Sequence, residues 1–408
     1  MSAPSKLLPV ADALKRIIEA AKLLESERVS LPDSLGRTLA QDVTARRTQP
    51  PFAASSMDGY AVRASDVASS PVTLRVIGTS AAGHRFHGEV KAGECVRIFT
   101  GAPLPDGADT IIIQENTSAH DGSVDILQSE SRGTYVRPAG LDFKEGDVLL
   151  TKGTRLGPCE LAIAAAMNHG SLEVTRKPRI AILATGDELV QPGQEPGPDQ
   201  IVASNTFAVG AYARHAGADI IDLGIAGDTF ADIERCIRAA HEAKADVLVT
   251  LGGASVGDHD LVQSALNREG MELGFWKIAM RPGKPLMHGK LGAMQILGLP
   301  GNPVSAIVCG VLFLVPLVRA LSGDPHAGAE RSEAAILGGD LKENDSREDY
   351  LRAELSVGTG LPIATPFSRQ DSSMLRVLAQ SHCLVIRPPR APSAKAGEAC
   401  RIIRLGSF

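Results

Sequence analysis

RIAILATGDEL, residues Arg179 to Leu189, is an apolar run that stops at Gly186, Asp187 and Glu188. That is the pattern of a buried strand followed by a polar loop. DVLVTLGGASVGDHDL, Asp246 to Leu261, repeats it: Val247 to Leu251 is apolar, and the glycine loop that follows carries Ser255, Asp258 and Asp260. QILGLPGNPVSAI, Gln295 to Ile307, is a third instance, with Leu297 to Leu299 running into Gly301, Asn302 and Pro303. In an open α/β sheet the ligand crevice lies at the carboxyl ends of the strands, so these loops are expected to face one pocket.

Working outward, residues 178–325 alternate strands with helical patterns. Strands are expected at Ile180–Ala184, Ile220–Ala226 and Val247–Leu251. Helices are expected from Asn205, read as an N-cap, to Gly217; around Phe230, Ile233, Ile237 and Ala240; from Asp260 to Glu269; and after Pro303. Strands alternating with helices predict a doubly wound parallel sheet with helices on both faces. The apolar run Ala306–Val318 contains Pro316 and is shorter than a bilayer span, which favours a buried helix over a membrane one.

The flanks read differently. In residues 1–46, Val10, Leu14, Ile17, Ile18, Ala21 and Leu24 share one face of an amphipathic helix whose stripe needs a partner, from this chain or a second copy. Residues 137–177 are turn-rich and then helical, with Pro158 in the first turn. Between them, residues 47–136 hold short β-rich runs split by Gly, Pro and Asp turns, as if a β module were inserted into an elongated helical domain. Residues 326–408 return to short strands and read as a β domain of barrel-like character.

Composition narrows the function. A chain of 408 residues accommodates about two to four domains. The net charge of −5 and an aromatic content of 4% argue against nucleic acid as the main partner. Six scattered cysteines without a C-x-x-C pair read as reduced thiols in a cytosol. Lys15, Arg16 and Glu19 interrupt the N-terminal apolar residues, so no signal peptide is expected. A P-loop and a dinucleotide fingerprint are absent.

Three constellations carry chemistry. Gly252, Gly253, Ser255 and Gly257 form a loop whose backbone N–H groups could line an anion site, or simply make a tight turn. Glu188, Asp228 and Asp260 are acids at three strand ends. Helix capping accounts for some such acids, notably Asp228 and Asp258; convergence of three on one crevice suits Mg²⁺, which takes one or two carboxylates plus substrate phosphates. FWKIAMRPGKP supplies Lys277, Arg281 and Lys284, read either as a solvated basic face or as an anion clamp stiffened by its prolines. Arg352 and Ser372 could add donors. In the β module, Asp58–Gly59 and Thr100–Gly101 read from spacing as turns.

Taken together, SSMDGYAVR, FTGAPLP, TGDEL, GGASVGDHDL, FWKIAMRPGKP and LPGNPVSA resemble the molybdopterin molybdotransferase family (MoeA and the E domain of gephyrin). The motifs come in the family's order across nearly the whole chain. The resemblance implies a homodimer of four-domain chains: a split elongated helical domain, an inserted β module, a molybdopterin-binding α/β domain and a C-terminal β domain. It implies that molybdate is inserted into adenylylated molybdopterin with Mg²⁺, releasing AMP. It gives Asp58, Thr100 and Asp142 as contributions to a partner's site. Glu188, Asp228 and Asp260 would be acids for metal or water, and Lys277, Arg281, Lys284, Arg352 and Ser372 would hold phosphate or molybdate. Pro300 and Pro303 would shape a loop. An upstream molybdopterin adenylyltransferase and cofactor-delivery proteins are the implied partners. Molybdopterin adenylyl transfer, or a non-catalytic scaffold, are the alternatives. Three positions depart from the family: Leu251 stands for a serine, Arg281 for a lysine, and Asp371 for the glycine before Ser372.

Overall fold

The computed structural model describes residues 7–253, 261–357 and 360–406. Its centre is one six-stranded sheet. The strands are β1 (Arg179–Thr185), β2 (Asp219–Ala226), β3 (Val247–Leu251), β4 (Glu272–Trp276), β5 (Met287–Leu291) and β6 (Met294–Leu299), in the order β2-β1-β3-β6-β5-β4. Four helices belong to it: α1 (Asn205–His215), α2 (Phe230–Glu242), α3 (Leu261–Arg268) and α4 (Pro303–Leu321).

The unbroken apolar runs follow from burial on both faces. Ile180 and Ile182 of β1 join a cluster with Val209 and Ala213 of α1 and most of α4, while Ala181 and Leu183 join another with Ile233 and Ile237 of α2 and Val262 of α3. Side chains alternate between the two faces because a strand has a period of two.

The sheet is mixed where a parallel one was expected. β2, β1, β3 and β6 are parallel, but β5 runs antiparallel to β6, and β4 antiparallel to β5. Only Gly292 and Ala293 separate β5 from β6, too short a link for a parallel crossover. Gly292, at φ +61°, makes that tight hairpin turn.

Helix α4 is 19 residues long and apolar enough for a bilayer by length and composition, yet 89% of its most apolar window is buried inside the protein. Length alone would not have excluded a membrane span; packing does. A π-helical turn at Gly310–Leu314 precedes Pro316. The wider turn absorbs the missing N–H and the ring of proline, so the helix continues through it. The helix Val10–Ala20, shorter than its apolar pattern, buries Ala13 and Ile17 in the same cluster as α4. The partner its stripe needs is thus supplied, in part, by its own chain.

Ser26–Ser30 pairs with Ser171–Thr175, and Val43–Thr44 with Val148–Leu150. Strands from both sides of the β module therefore hold each other, and the nine-residue helix Pro158–Ala166 packs with them. The module itself is a six-stranded sheet that includes Gly59–Val62, Glu94–Ile98 and Thr110–Ile113. Near the C-terminus, Glu348–Ser356 pairs with both Ile363–Pro366 and Cys383–Arg387. With Glu333–Leu337 and Ala399–Arg404 this closes a five-stranded barrel. The chain is thus multidomain, α/β plus β. All six cysteines are free, and burial pushes the Cys95 and Cys383 thiols up to about 12, which leaves them unreactive.

The barrel is stitched to the α/β domain. Met280–Arg281 pairs in parallel with Glu348 and Asp349. The Arg281 guanidinium bonds the Asp349 carboxylate, lies 3.2 Å from Asp345, and reaches Asn344 at 3.4 Å. The hydrogen bond it donates to Asp349 holds that guanidinium above its ordinary pKa. A planar fork can serve several acceptors at once; an ammonium cannot match that geometry. Arg281→Ala is expected to destabilise the chain by about 1–3 kcal/mol, because the buried Asp349 loses its partner; urea unfolding measures it.

Candidate functional site

The connections leave β1 and β3 for opposite sides of the sheet, and a cavity of about 860 Å³ lies at their carboxyl ends. Glu188, Asp228, Gly252, Gly253, Pro300 and Pro303 all line it. A second cavity, about 510 Å³, between the Val10–Ala20 helix and the barrel is lined mainly by apolar side chains.

Each wall has a local cause. Gly186 sits at φ +145°, and a Cβ there would lie 2.3 Å from a Glu188 carboxylate oxygen. That φ favours glycine, and the carboxylate folds back into the space a Cβ would take. Gly186 N–H donates to the Ala226 carbonyl at 3.2 Å, joining the β1 and β2 loops. On the other side Gly252, at φ +100°, leaves no room for a Cβ, which would meet the Thr185 carbonyl oxygen at 2.8 Å. Its N–H donates to the Leu299 carbonyl at 3.2 Å. The ends of β1, β2, β3 and β6 are thereby held at close range.

Asp228 is free of the capping role that sequence suggested. Thr229 caps α2, its hydroxyl oxygen accepting the Asp232 N–H at 3.2 Å. Among the described residues, neither the Glu188 nor the Asp228 carboxylate takes a hydrogen bond or ion pair, and both are exposed to the cavity side. Asp260, Ser255 and Gly257, with Asp258, lie outside the described residues. No group of three His, Cys, Asp or Glu side chains converges among the described residues. Two uncommitted carboxylates fit Mg²⁺ that completes its shell with water and substrate phosphate, and do not fit an all-protein cage.

Of the basic loop, Pro285 lines the cavity; Lys277, Arg281 and Lys284 do not. Beside it, the Lys284 carbonyl accepts the Ile278 N–H at 3.0 Å, and the Leu286 carbonyl accepts the Lys277 N–H at 3.0 Å. These bonds hold Lys277 and Lys284 at the neck of one loop. Among the described residues neither lysine has an acidic partner. Arg281, by contrast, is committed to the barrel.

Arg352 is buried, at 1% exposure, and does not line the cavity; its guanidinium donates to the Asp371 carbonyl at 3.1 Å. Asp371 in turn accepts the Ser373 N–H at 2.8 Å and hydroxyl at 2.6 Å. The hydroxyl bond is the main cause of its pKa lying below the ordinary carboxylate value. The extra acid therefore shapes its own turn. Ser372 also braces: its hydroxyl accepts from the Asn302 amide at 3.1 Å and its carbonyl from the Val304 N–H at 3.0 Å. Ser373 is the one of this loop that lines the cavity.

Asp58, Thr100 and Asp142 are not part of this wall. Asp58 accepts the Thr100 N–H at 2.7 Å and hydroxyl at 2.8 Å. Those two donors, the backbone one first, hold its carboxyl below the ordinary range. Gly59 is not a positive-φ turn residue: it opens a strand, and a Cβ there would sit 1.9 Å from the Ile112 carbonyl oxygen. Close backbone approach, not turn geometry, requires it. Asp142 is exposed on a separate loop, its N–H bonded to the Gln49 carbonyl at 3.0 Å.

Three residues not singled out as site residues complete the frame. Asp187 accepts the Asp228 N–H at 3.0 Å and so fixes the β2 loop to the β1 loop. The Asn205 amide donates to the Gly301 carbonyl at 2.7 Å; Asn205 is the first helical residue, with Ser204 at the cap position. Asn302 ties the proline loop to the barrel. Asp187 and Asn302 lie in TGDEL and LPGNPVSA and Asn205 was read as a helix cap, but a brace and a ligand look alike in a string.

Comparison with known proteins identifies the family. Models of the MoeA N-terminal region (domain I and II), a probable molybdopterin binding domain and the MoeA C-terminal region (domain IV) match residues 8–168, 181–320 and 334–405. A molybdopterin molybdenumtransferase of Haemophilus influenzae is 34% identical, covering 93% of this chain and 93% of the relative. One of Bacillus subtilis is 35% identical, covering 97% and 94%. The crystal structure of a molybdopterin biosynthesis MoeA protein from Pyrococcus horikoshii superimposes with a TM-score of 0.82 at 31% identity, over 99% of this chain and 100% of that one. With matching models from end to end and relatives above 30% identity over nearly its whole length, the chain belongs to the MoeA family.

Proposed function

We propose that this chain is a molybdopterin molybdenumtransferase: it takes adenylylated molybdopterin and molybdate, cleaves the adenylate with the help of Mg²⁺, and releases molybdenum cofactor and AMP. The observation that carries this reading is the pair of uncommitted carboxylates, Glu188 and Asp228, facing a glycine-walled cavity. Family membership supplies the substrate class.

In this reading Mg²⁺ supplies charge neutralisation at the phosphate oxygens. Glu188 and Asp228 hold it, and Asp187 keeps the Asp228 backbone in place. Gly252 and Gly253 present backbone surface at a range that side chains would prevent. Lys277 and Lys284, on the loop whose Pro285 lines the cavity, are the positive charges from which an oxyanion or phosphate gains charge-assisted hydrogen bonds. The Pro300–Pro303 loop, tied to both α1 and the barrel, fixes the far wall. Preorganised charge of this kind acts without reorganising during the reaction.

The chain works as a homodimer in the cytosol, with Asp58, Thr100 and Asp142 serving the cavity of the second copy. Their position outside the wall of their own chain's cavity supports this. Mixing Asp58→Ala chains with Glu188→Ala chains is expected to restore activity that neither has alone.

The direct test incubates the protein with adenylylated molybdopterin, Mg²⁺ and molybdate and follows AMP and cofactor. Absence of both would end the proposal; ATP consumption with free molybdopterin would replace it with adenylyl transfer. Glu188→Gln and Asp228→Asn should each raise the Mg²⁺ concentration for half-maximal activity about tenfold or more, and an unchanged midpoint removes the metal role. Thr100→Val, which keeps the backbone donor and deletes the hydroxyl, should raise the Asp58 pKa part of the way back to its ordinary value; NMR titration of the carboxyl reads this.

A further inference from the structure

We propose that Trp276 is the positioning residue for Lys277, its indole face holding the ammonium in place, and that it reports occupancy of that lysine by an anion. The proposal rests on reading Lys277 as a ligand for phosphate or molybdate.

Four observations carry it. The Lys277 ammonium lies 3.8 Å from the centroid of the Trp276 ring, well inside cation–π range. Lys277 has φ +70°, a left-handed conformation that a residue with a Cβ adopts only when its surroundings impose it. Hydrogen bonds from Lys277 to Leu286 and from Ile278 to Lys284 impose it here. Trp276 is itself anchored: it ends β4, pairs with Met287, and packs on the apolar cluster that contains α2 and α3.

The arrangement suits an anion ligand. A ring face attracts the ammonium without accepting its hydrogen bonds in full, as a carboxylate would. Among the described residues Lys277 has no acidic partner, so its N–H donors stay available. Restricting the long side chain to one location lowers the ordering cost when an anion binds. Trp276 is also the chain's single tryptophan, so tryptophan emission comes from this position alone.

Two variants of the full chain separate the ring face from bulk. Trp276→Phe keeps a face; Trp276→Leu keeps apolar volume only. The indole N–H has no acceptor among the described residues, so neither change breaks a hydrogen bond. The leucine variant is expected to raise KM for adenylylated molybdopterin about 5-fold with little change in kcat, and the phenylalanine variant to stay within about 2-fold of the parent. In the unmodified protein, AMP or molybdate is expected to alter tryptophan emission, and Lys277→Met to abolish that response. A leucine variant with parental KM, or emission unmoved by saturating AMP and molybdate, overturns the proposal. If Lys277→Met itself keeps the parental KM, the reading of Lys277 as a ligand fails and the proposal falls with it. An impaired Lys277→Met beside an unimpaired Trp276→Leu rejects the tryptophan's role alone.

Discussion

Two carboxylates can share one cavity here because the strand order reverses at β1. The connection from β1 leads to β2 on one side, and the later strands β3 and β6 lie on the other. Loops that leave a sheet in opposite directions must part, and the gap between them is the crevice. Everything else at the site adjusts the width of that gap. Gly186 and Gly252 remove side chains where the loops come closest. The Asp187 hydrogen bond keeps the Asp228 loop from drifting. The asparagines then tie the wall formed by the proline loop to a helix on one side and the barrel on the other.

This division of labour explains what could be read from sequence. The strands β1, β3 and β6 were legible because burial on both faces writes an unbroken apolar run. β3 matched residue for residue, Val247 to Leu251. The cavity acids Glu188 and Asp228 were legible because they follow those runs directly. The β5–β6 hairpin was not foreseen as antiparallel, although its two-residue link already forbade a crossover.

Other features depend on residues far apart in the chain. Arg281 sits in a basic string, yet its acceptors Asp345 and Asp349 come from the barrel, more than sixty positions later. No local pattern reports such a partner. The same holds for Arg352, whose burial depends on how the barrel closes, and for Asp371, turned inward on Ser373. Gly59 was misread for a different reason. A glycine needed for room and a glycine needed for left-handed backbone look identical until the neighbouring strand is in place.

The N-terminal helix has a consequence for how the chain is made. Val10–Ala20 is an eleven-residue helix, too short to hold its form alone in water. Its seat is built from α4, and its end is fastened by the Gln295 amide to the Ala20 carbonyl at 2.7 Å and by Leu24 N–H to the Leu321 carbonyl at 3.1 Å. Roughly 300 residues must be synthesised before that seat exists, about 15–60 s at ordinary translation rates. Over that interval this segment has no α4 to dock against, and its docking shields one flank of that apolar helix.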